Sequence, residues 1–276
     1  MEWQHDTLLG RPADWPQTVD ARILTAIARA HTRAELDFSA LPPMLGEDLW
    51  GCWELSWLDA RGKPVQAVAE LRVPAASPAL IESKSLKLYL GGYAGTRFES
   101  NAAVAARIGA DLSAAVGAPV QVALLPAAQW SQLSLQAAPG CCVDTLDLQP
   151  GGFGPPRPQC LRIEAGAETR ETLHSMLLRS NCPVTGQPDW ATLVVDYSGP
   201  PIVHATLLDY LLSYRQHSGF HEQCVERIWL DLLRHCHCRK LTVYARYTRR
   251  GGLDINPLRS THAQVSLPAW QRFANQ

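Results

Sequence analysis

The order of apolar and polar residues along the chain predicts a mixture of strands and helices. Runs with strand character cover 50–58, 65–73, 81–90, 120–125, 190–197 and 241–247. Stretches with apolar residues at helical spacing cover 98–116, 203–217 and 223–235. The loop 59–63 contains residues that favour a hairpin, so the first two strands are predicted to pair antiparallel. The whole pattern predicts an α+β fold.

Glycine and proline suggest where the chain divides. They are densest over 148–158, which we predict to be a linker between two modules. Residues 1–48 are predicted to be an N-terminal extension, followed by one module over 49–147 and another over 159–276. Both halves mix sheet and helix in a similar order, but no sequence identity at a fixed period supports a repeat.

Composition narrows the class of function. The chain has 276 residues, of which 46% are hydrophobic, which is ample for packed cores. Its net charge of -1 creates no field that would attract nucleic acid or an anionic membrane, so we expect a small-molecule partner. The chain shows no leader and no run of roughly 18 apolar residues, which predicts a cytoplasmic location. The eight cysteines are then expected to be reduced thiols.

One thiol and one carboxyl flank a segment that is rich in turn formers, the run SNCPVTGQPDW. Gly186 and Pro188 let the chain bend, so that Asp189 could return to the sulfur of Cys182. A thiolate is a good nucleophile, and a nearby carboxylic acid can protonate the anion that its attack creates. The alternative is a buried cysteine in a turn, which is the usual reading for an isolated cysteine.

Two other motifs that contain acidic residues could take part in binding or catalysis. If 81–90 is a strand, Glu82, Lys84 and Leu86 share one face, where the carboxylate could accept the N–H donors of a guanine-like base. His221 and Glu222 open a predicted helix, where they could supply proton transfer and another acceptor for a base edge. Taken singly, each motif is better explained as solvated strand face or as charge in a first helical turn.

Basic and cysteine-rich motifs could form anion or metal sites. Arg246, Arg249 and Arg250 lead into the pair Gly251-Gly252, which is typical of a site where backbone approaches a phosphate, although charged loops are also common. The four consecutive residues of 235–238, HCHC, lack the usual zinc-ligand spacing, so we expect no metal. No GxGxxG or GxxxxGK motif indicates a Rossmann domain or a P-loop.

Four of these runs together resemble one enzyme family. The runs are ESKSLKLYL, SNCPVTGQPDW, FHEQCVERIW and YARYTRRGGLDINP, in order over about 50–256. They resemble the long, two-module form of the NADPH-dependent 7-cyano-7-deazaguanine reductases, the nitrile reductases of queuosine biosynthesis. The resemblance implies two tandem tunnelling-fold modules, each a ββααββ unit with an antiparallel sheet, and a homodimer. Leu258 stands where relatives usually carry an aromatic residue, and 91–94 is less polar than usual.

The resemblance also implies roles for individual residues. Cys182 is the nucleophile that forms a thioimide with the nitrile, Asp189 is the acid, and His221 handles protons in the later stage. The implied substrate-binding residues are Ile81, Glu82, Ser83, His221 and Glu222. The implied NADPH-binding residues are Ser83, Lys84, Arg250 and Gly251, with two equivalents of NADPH consumed.

Rival interpretations of the same motifs belong to other classes. A hydrolase or amidotransferase would use Cys182 with His221 and consume no NADPH, and a binding protein of the same fold would hold the base without chemistry. A zinc-dependent pterin or purine enzyme of that fold would need bound metal.

Overall fold

The computed structural model describes residues 14–39, 41–263 and 265–276. Contacts divide the chain into two compact units, each assembled from separate stretches. Unit 1 comprises the described residues of Met1–Arg33, Asp48–Ser134 and Arg249–Ile255. Unit 2 comprises those of Ala34–Glu47, Leu135–Thr248 and Asn256–Gln276. Among the residues so described, no helix has the length and apolar character needed to cross a bilayer.

Unit 1 combines a sheet with two longer helices. The elements that lie wholly or mostly in it are, in chain order, β1 (Ala26–Ala28), α1 (Arg29–Arg33), β2 (Leu45–Leu58), β3 (Pro64–Pro74), β4 (Ala79–Ile81), α2 (Ser83–Gly91), α3 (Asn101–Val116) and β5 (Gln121–Pro126). Strands β5, β3 and β2 lie side by side in that order, with β3 and β5 antiparallel, and β1 pairs antiparallel with β4. The predicted strands 50–58, 65–73 and 120–125 are confirmed.

Helix α3 shows why sequence periodicity works in this unit. Its fully buried residues are spaced by four, Val104, Ile108, Leu112 and Val116, and they belong to the apolar core of unit 1. The Ser100 hydroxyl caps the first turn by accepting the N–H of Ala103, and Gly117 ends the helix in the left-handed region, at φ 71°. The helix predicted over 98–116 is therefore confirmed.

The strand predicted over 81–90 is wrong. The strand β4 ends at Ile81, and α2 (Ser83–Gly91) occupies the rest of the run. The Glu82 carboxylate caps this helix by accepting the N–H of Lys84 at 2.6 Å and of Ser85 at 2.7 Å. Because successive helical residues turn by about 100°, Glu82, Lys84 and Leu86 do not share a face.

Unit 2 has a longer sheet. The elements that lie wholly or mostly in it are, in chain order, β6 (Ser134–Gln136), β7 (Cys141–Cys142), β8 (Thr169–Asn181), β9 (Pro188–Gly199), α4 (His204–Leu212), α5 (His221–Cys236), β10 (Lys240–Tyr247), β11 (Leu253–Ser260) and β12 (Gln271–Phe273). Strands β11, β10, β9, β8 and β7 are neighbours in that order. All these pairs are antiparallel except β7 with β8. The strands predicted over 190–197 and 241–247 are confirmed, and so is the helix predicted over 223–235.

Two details of unit 2 refine the sequence interpretation. The helix predicted over 203–217 is α only to Leu212, and the 3-10 helix Ser213–Gln216 follows it. The segment 148–158 is not detached from unit 2, since Gly151 donates its N–H to Asp209 at 2.8 Å and Arg157 pairs with Asp209 at 2.9 Å. The module boundaries that the sequence predicts at 48, 147 and 158 stay a prediction.

Both units contain the same hydrogen-bonded triad of two tyrosines and an aspartate. In unit 1 the Tyr89 hydroxyl lies 2.6 Å from that of Tyr93 and donates to Asp111 at 2.9 Å. In unit 2 the matching residues are Tyr210, Tyr214 and Asp231, with distances of 2.8 and 2.6 Å.

The elements that carry the triads also correspond. In each unit a helix of nine residues precedes a 3-10 helix of four residues and a helix of sixteen residues. The structure thus supplies the evidence for a two-module arrangement that sequence identity does not provide.

Candidate active site

The hairpin of β8 and β9 sets the positions of the predicted nucleophile and acid. Ser180 is paired with Asp189, and the ladder continues one step further, where the Cys182 N–H donates to the Gln187 carbonyl at 2.8 Å. Gly186 makes the turn possible with φ 70°. Because side chains alternate along a strand, Cys182 and Asp189 face the same side of the hairpin as diagonal neighbours. Each is only 3% exposed.

The start of helix α5 brings an imidazole to the same side. Residues 217–219 run beside the end of β8, where the Asn181 N–H donates to the His217 carbonyl at 2.8 Å and the Gly219 N–H donates to the Asn181 carbonyl at 3.1 Å. Helix α5 then begins at His221, whose Nε2 lies 3.2 Å from the Oδ2 of Asp189. A thiol, a carboxyl and an imidazole are therefore buried together in unit 2.

Helix α5 is held in place by a buried ion pair one turn beyond the site. The predicted substrate contact Glu222 is 3% exposed in the first turn. Glu226 follows four residues later and pairs with Arg259 of β11, with Oε1 to Nη2 at 2.8 Å and both side chains almost fully buried. Arg259 Nη1 also donates to the carbonyls of Glu47 and Leu258. This network fixes the helix that carries His221 and Glu222.

Sequence reasoning missed three buried residues: Tyr247, which contacts the imidazole, and its neighbours Ser180 and Cys224. The ring of Tyr247 stacks on His221, with centroids 3.8 Å apart and planes 10° apart. Ser180 and Cys224 are fully buried near the Tyr247 hydroxyl, where Cys224 raises the pKa of Tyr247 and Ser180 lowers it. Burial raises the pKa of the Cys224 thiol to about 12, so this cysteine is a neutral neighbour and not a second nucleophile. Period-two alternation in β10 could have indicated that Tyr247 faces inward.

The predicted residues of unit 1 form a separate cluster at the start of α2. Ile81 is buried in β4, where it pairs with Ala26, and Glu82 is 1% exposed. Burial raises the pKa of the Glu82 carboxyl above its usual value, while the N–H donors of Lys84 and Ser85 oppose that rise. Each capping oxygen accepts one N–H and keeps a second lone pair for another donor. Ser83 and Lys84 are half-buried beside it.

The predicted anion site of unit 1 is a tight turn. Arg250 and Leu253 exchange backbone hydrogen bonds of 2.9 and 3.2 Å, and the two glycines between them have φ of 60° and 78°. Positive φ at both central residues is the geometry of a type I′ turn, which explains the glycine pair. A Cβ added to Gly251 would lie 2.9 Å from the Lys87 ammonium. The turn and Lys87 line a cavity of about 280 Å³.

The other two arginines of the basic motif contact aromatic rings. The guanidinium carbon of Arg246 lies 6.0 Å from the ring centroid of Phe273, and that of Arg249 lies 5.6 Å from Trp53. Within the part of the chain that the structure describes, no group of three or more His, Cys, Asp or Glu side chains could hold a metal ion.

Comparisons with known proteins agree over nearly the whole chain. Residues 15–124 match a family model described as "Nitrile reductase, 7-cyano-7-deazaguanine-reductase N-term", and 188–266 match one described as "QueF-like protein". The chain is 50% identical over 275 residues to the NADPH-dependent 7-cyano-7-deazaguanine reductase of Verminephrobacter eiseniae. It is 48% and 49% identical over 268 residues to the proteins of that name from Paraburkholderia phymatum and Bordetella pertussis. Each alignment covers 97% of this chain and 97% of the relative.

An α+β fold that buries a thiol, a carboxyl and an imidazole close together carries the side chains that enzymes use for nucleophilic and acid–base chemistry. With the matches above, this chain belongs to the NADPH-dependent 7-cyano-7-deazaguanine reductase family, whose members are oxidoreductases. The family that its motifs resemble is thereby confirmed.

Proposed function

We propose that this chain reduces the nitrile of 7-cyano-7-deazaguanine to the primary amine of 7-aminomethyl-7-deazaguanine, a step of queuosine biosynthesis. The reaction consumes one nitrile, two NADPH and two protons and yields one amine and two NADP⁺. One observation carries the proposal: Cys182, Asp189 and His221 are buried in one cluster. The chain that contains them is about half identical to relatives named NADPH-dependent 7-cyano-7-deazaguanine reductase.

Cys182 acts first, as the nucleophile. Its sulfur forms a bond to the nitrile carbon while a proton reaches the nitrogen, so the product is a covalent thioimide with a C=N bond. Asp189 supplies that proton, and its place on the same face of the hairpin as Cys182 supports this role. A nitrile is a weak electrophile, and capture by sulfur turns it into a group that accepts hydride.

His221 acts in the later stage. After the first reduction the adduct collapses, the C–S bond breaks, and an imine forms as the Cys182 thiolate leaves. Reduction of the imine carbon places negative charge on nitrogen, which takes up a proton as the amine forms. His221 donates the proton to this nitrogen. Its Nε2 lies 3.2 Å from Asp189 and can be reprotonated through that carboxyl.

Carboxylates recognise the base. In unit 2, Glu222 accepts N–H donors of a deazaguanine edge by charge-assisted hydrogen bonds. In unit 1, Glu82 has the same role, and its neighbours Ile81 and Ser83 are further substrate contacts. Both carboxyls are almost fully buried, and a carboxylate oxygen is the acceptor that suits the N–H donors of such a base edge, which supports this role.

The residues proposed to hold NADPH are Ser83, Lys84, Arg250 and Gly251. They fit a phosphate-bearing group, since they combine cationic side chains with an exposed glycine that has no side chain to block approach and lies beside the Lys87 ammonium. When bound, NADPH supplies the hydride for each of the two reductions. No protein metal is part of this scheme.

The proposal extends to architecture and setting. We take the two repeated units as tunnelling-fold modules and the functional form as a cytoplasmic homodimer that acts on the free base, with neither nucleic acid nor a membrane as partner. The order β8, β9, α4, α5, β10, β11 in unit 2 supports the ββααββ module.

The test combines turnover with detection of the covalent adduct. Purified protein is mixed with 7-cyano-7-deazaguanine and NADPH, and the loss of nicotinamide absorbance is followed for wild type, Cys182→Ala, Asp189→Ala and the exposed-thiol control Cys141→Ala. We expect turnover in wild type and Cys141→Ala alone. Mass spectrometry without NADPH should find the nitrile mass on the peptide that contains residue 182.

Two of the rival functions give a different result in this assay. Neither a cysteine hydrolase nor a base-binding protein would consume NADPH, and the binding protein would also add no nitrile mass to the peptide that contains residue 182. Nitrile-dependent NADPH oxidation that survives Cys182→Ala would refute the covalent scheme.

A further inference from the structure

The orientation of His221 is not explained by hydrogen bonds. Both ring nitrogens are buried, and among the described residues neither has a hydrogen-bond partner of good geometry. Nε2 lies 3.2 Å from the Oδ2 of Asp189, a contact that does not involve the other nitrogen, Nδ1. In most sites that use an imidazole for proton transfer, a hydrogen bond to the second nitrogen fixes the ring. Something else must fix the ring of His221.

The phenol of Tyr247 occupies the face of that imidazole. The two rings are nearly parallel, with centroids 3.8 Å apart. Tyr247 is itself immobile, because it is fully buried at the end of β10 and paired there with Ala191, two residues from Asp189. Rotation of the imidazole about its Cβ–Cγ bond would drive it into the phenol, so the stack restricts the plane in which Nε2 points.

The surroundings keep this phenol neutral. Burial raises the pKa of Tyr247 well above its usual value, and the titratable groups that face it are Asp189 from β9, Cys224 from α5 and Tyr214 from the 3-10 helix. Arg227 of α5 lowers the pKa of the latter two. A neutral aromatic face accepts either imidazole or imidazolium, since the cation gains a cation–π contact. The stack can therefore hold His221 in the same plane before and after proton transfer.

We propose that Tyr247 is a positioning residue, whose ring holds the His221 imidazole in the plane needed for proton transfer in the later stage of nitrile reduction. The proposal rests on the role given above to His221. It assigns the function to the ring of Tyr247 and not to its hydroxyl, which has no hydrogen-bond partner of good geometry among the described residues.

Two substitutions at this position separate ring from hydroxyl. Tyr247→Phe keeps the stacking surface, whereas Tyr247→Leu removes it while keeping the site apolar. A matched control is Tyr197→Leu, which removes an equally buried tyrosine ring of unit 2 that contacts Glu171 and the Ile202 N–H. Steady-state NADPH oxidation is measured across pH for each protein, and the adduct on Cys182 is measured without NADPH.

We expect Tyr247→Leu to lower kcat by roughly 10- to 100-fold and to shift the pH profile, because a misdirected acid–base group loses rate on that scale. Adduct formation should stay at the wild-type level, since the first stage does not use His221. Tyr247→Phe should restore kcat and the profile, and Tyr197→Leu should keep the wild-type profile.

Three results would overturn the proposal. They are a wild-type kcat and pH profile in Tyr247→Leu, an equal loss in Tyr247→Phe and Tyr247→Leu, or a loss of adduct in step with the loss of kcat. If Tyr247→Leu does not fold, proton NMR of the wild type still decides, because the stack predicts upfield ring-current shifts for the His221 ring protons, assigned with His221→Gln. Wild type that forms no adduct and oxidises no NADPH with the nitrile would instead refute the proposed function itself.

Discussion

Glu82 combines two tasks that substitution can separate. Its carboxylate caps α2, and we propose that it also recognises the substrate. Glu82→Ala removes the acceptor of two backbone N–H groups, held at 2.6 and 2.7 Å, and buries the Ser85 N–H without a partner. Loss of a capping side chain costs about 1 kcal/mol, and each bond to a charged acceptor contributes about 1.5–3 kcal/mol.

Part of that loss is offset, because the buried carboxylate is costly to ionise, as the raised pKa indicates. We therefore expect Glu82→Ala to lower the free energy of unfolding by about 1–2 kcal/mol. At about 2–4 °C per kcal/mol, the midpoint of thermal unfolding should fall by several degrees. Glu82→Asn is the matched variant, because asparagine is among the best capping residues but carries no charge.

The assay pairs urea unfolding with substrate kinetics. Unfolding is followed by tryptophan fluorescence and far-ultraviolet circular dichroism, whose coincidence justifies a single free energy. We expect both variants to have a raised KM for the nitrile. Glu82→Asn should nevertheless recover most of the stability that Glu82→Ala loses. An alanine variant as stable as wild type would contradict the capping argument, and a wild-type KM in the asparagine variant would contradict the recognition argument.

Three further outcomes follow from the structure. Arg259→Met should lower the free energy of unfolding, measured in urea, by about 3–5 kcal/mol, because it leaves the buried Glu226 carboxylate without this cation. Adding Glu226→Leu should recover much of that loss, and no recovery would contradict the pairing. Gly252→Ala should destabilise the protein, because a Cβ there would lie 2.5 Å from a glutamate carbon at φ 78°, whereas Gly154→Ala, with nothing within 4 Å, should be neutral. Burial lowers the pKa of His217 from 6.5 to about 4, so its contribution to stability is complete above pH 6.5 and is lost as the pH falls toward 4. His217→Gln should therefore reduce the slope of unfolding free energy against pH between these values, and an unchanged slope would contradict this prediction.

Features that depend on near neighbours in the chain could be predicted from the sequence. The helix α3 and its end at Gly117 follow from periodicity and one glycine, and the hairpin loop 59–63 follows from turn residues. The seven-residue spacing of Cys182 and Asp189 around a turn also placed both on one hairpin, because a short loop fixes the register of its strands.

The helix α2 shows where local pattern failed. Its run of alternating polar and apolar residues fits a strand over a short window as well as a helix, and periodicity cannot separate the two. The tertiary structure decided the matter, because β4 pairs with β1 only as far as Ile81 and a last backbone bond joins the Glu82 N–H to the Thr25 carbonyl at 2.9 Å. The Glu82 side chain then caps the helix that follows.

The sequence by itself determined the family, the reactive residue types and most of the elements, since these reside in local runs of residues. Only the tertiary structure decided which distant side chains meet. Tyr247 stacks on His221, 26 positions away, and Arg259 pairs with Glu226, 33 positions away. No period of helix or strand encodes such contacts, because they arise when separate elements pack their buried faces together.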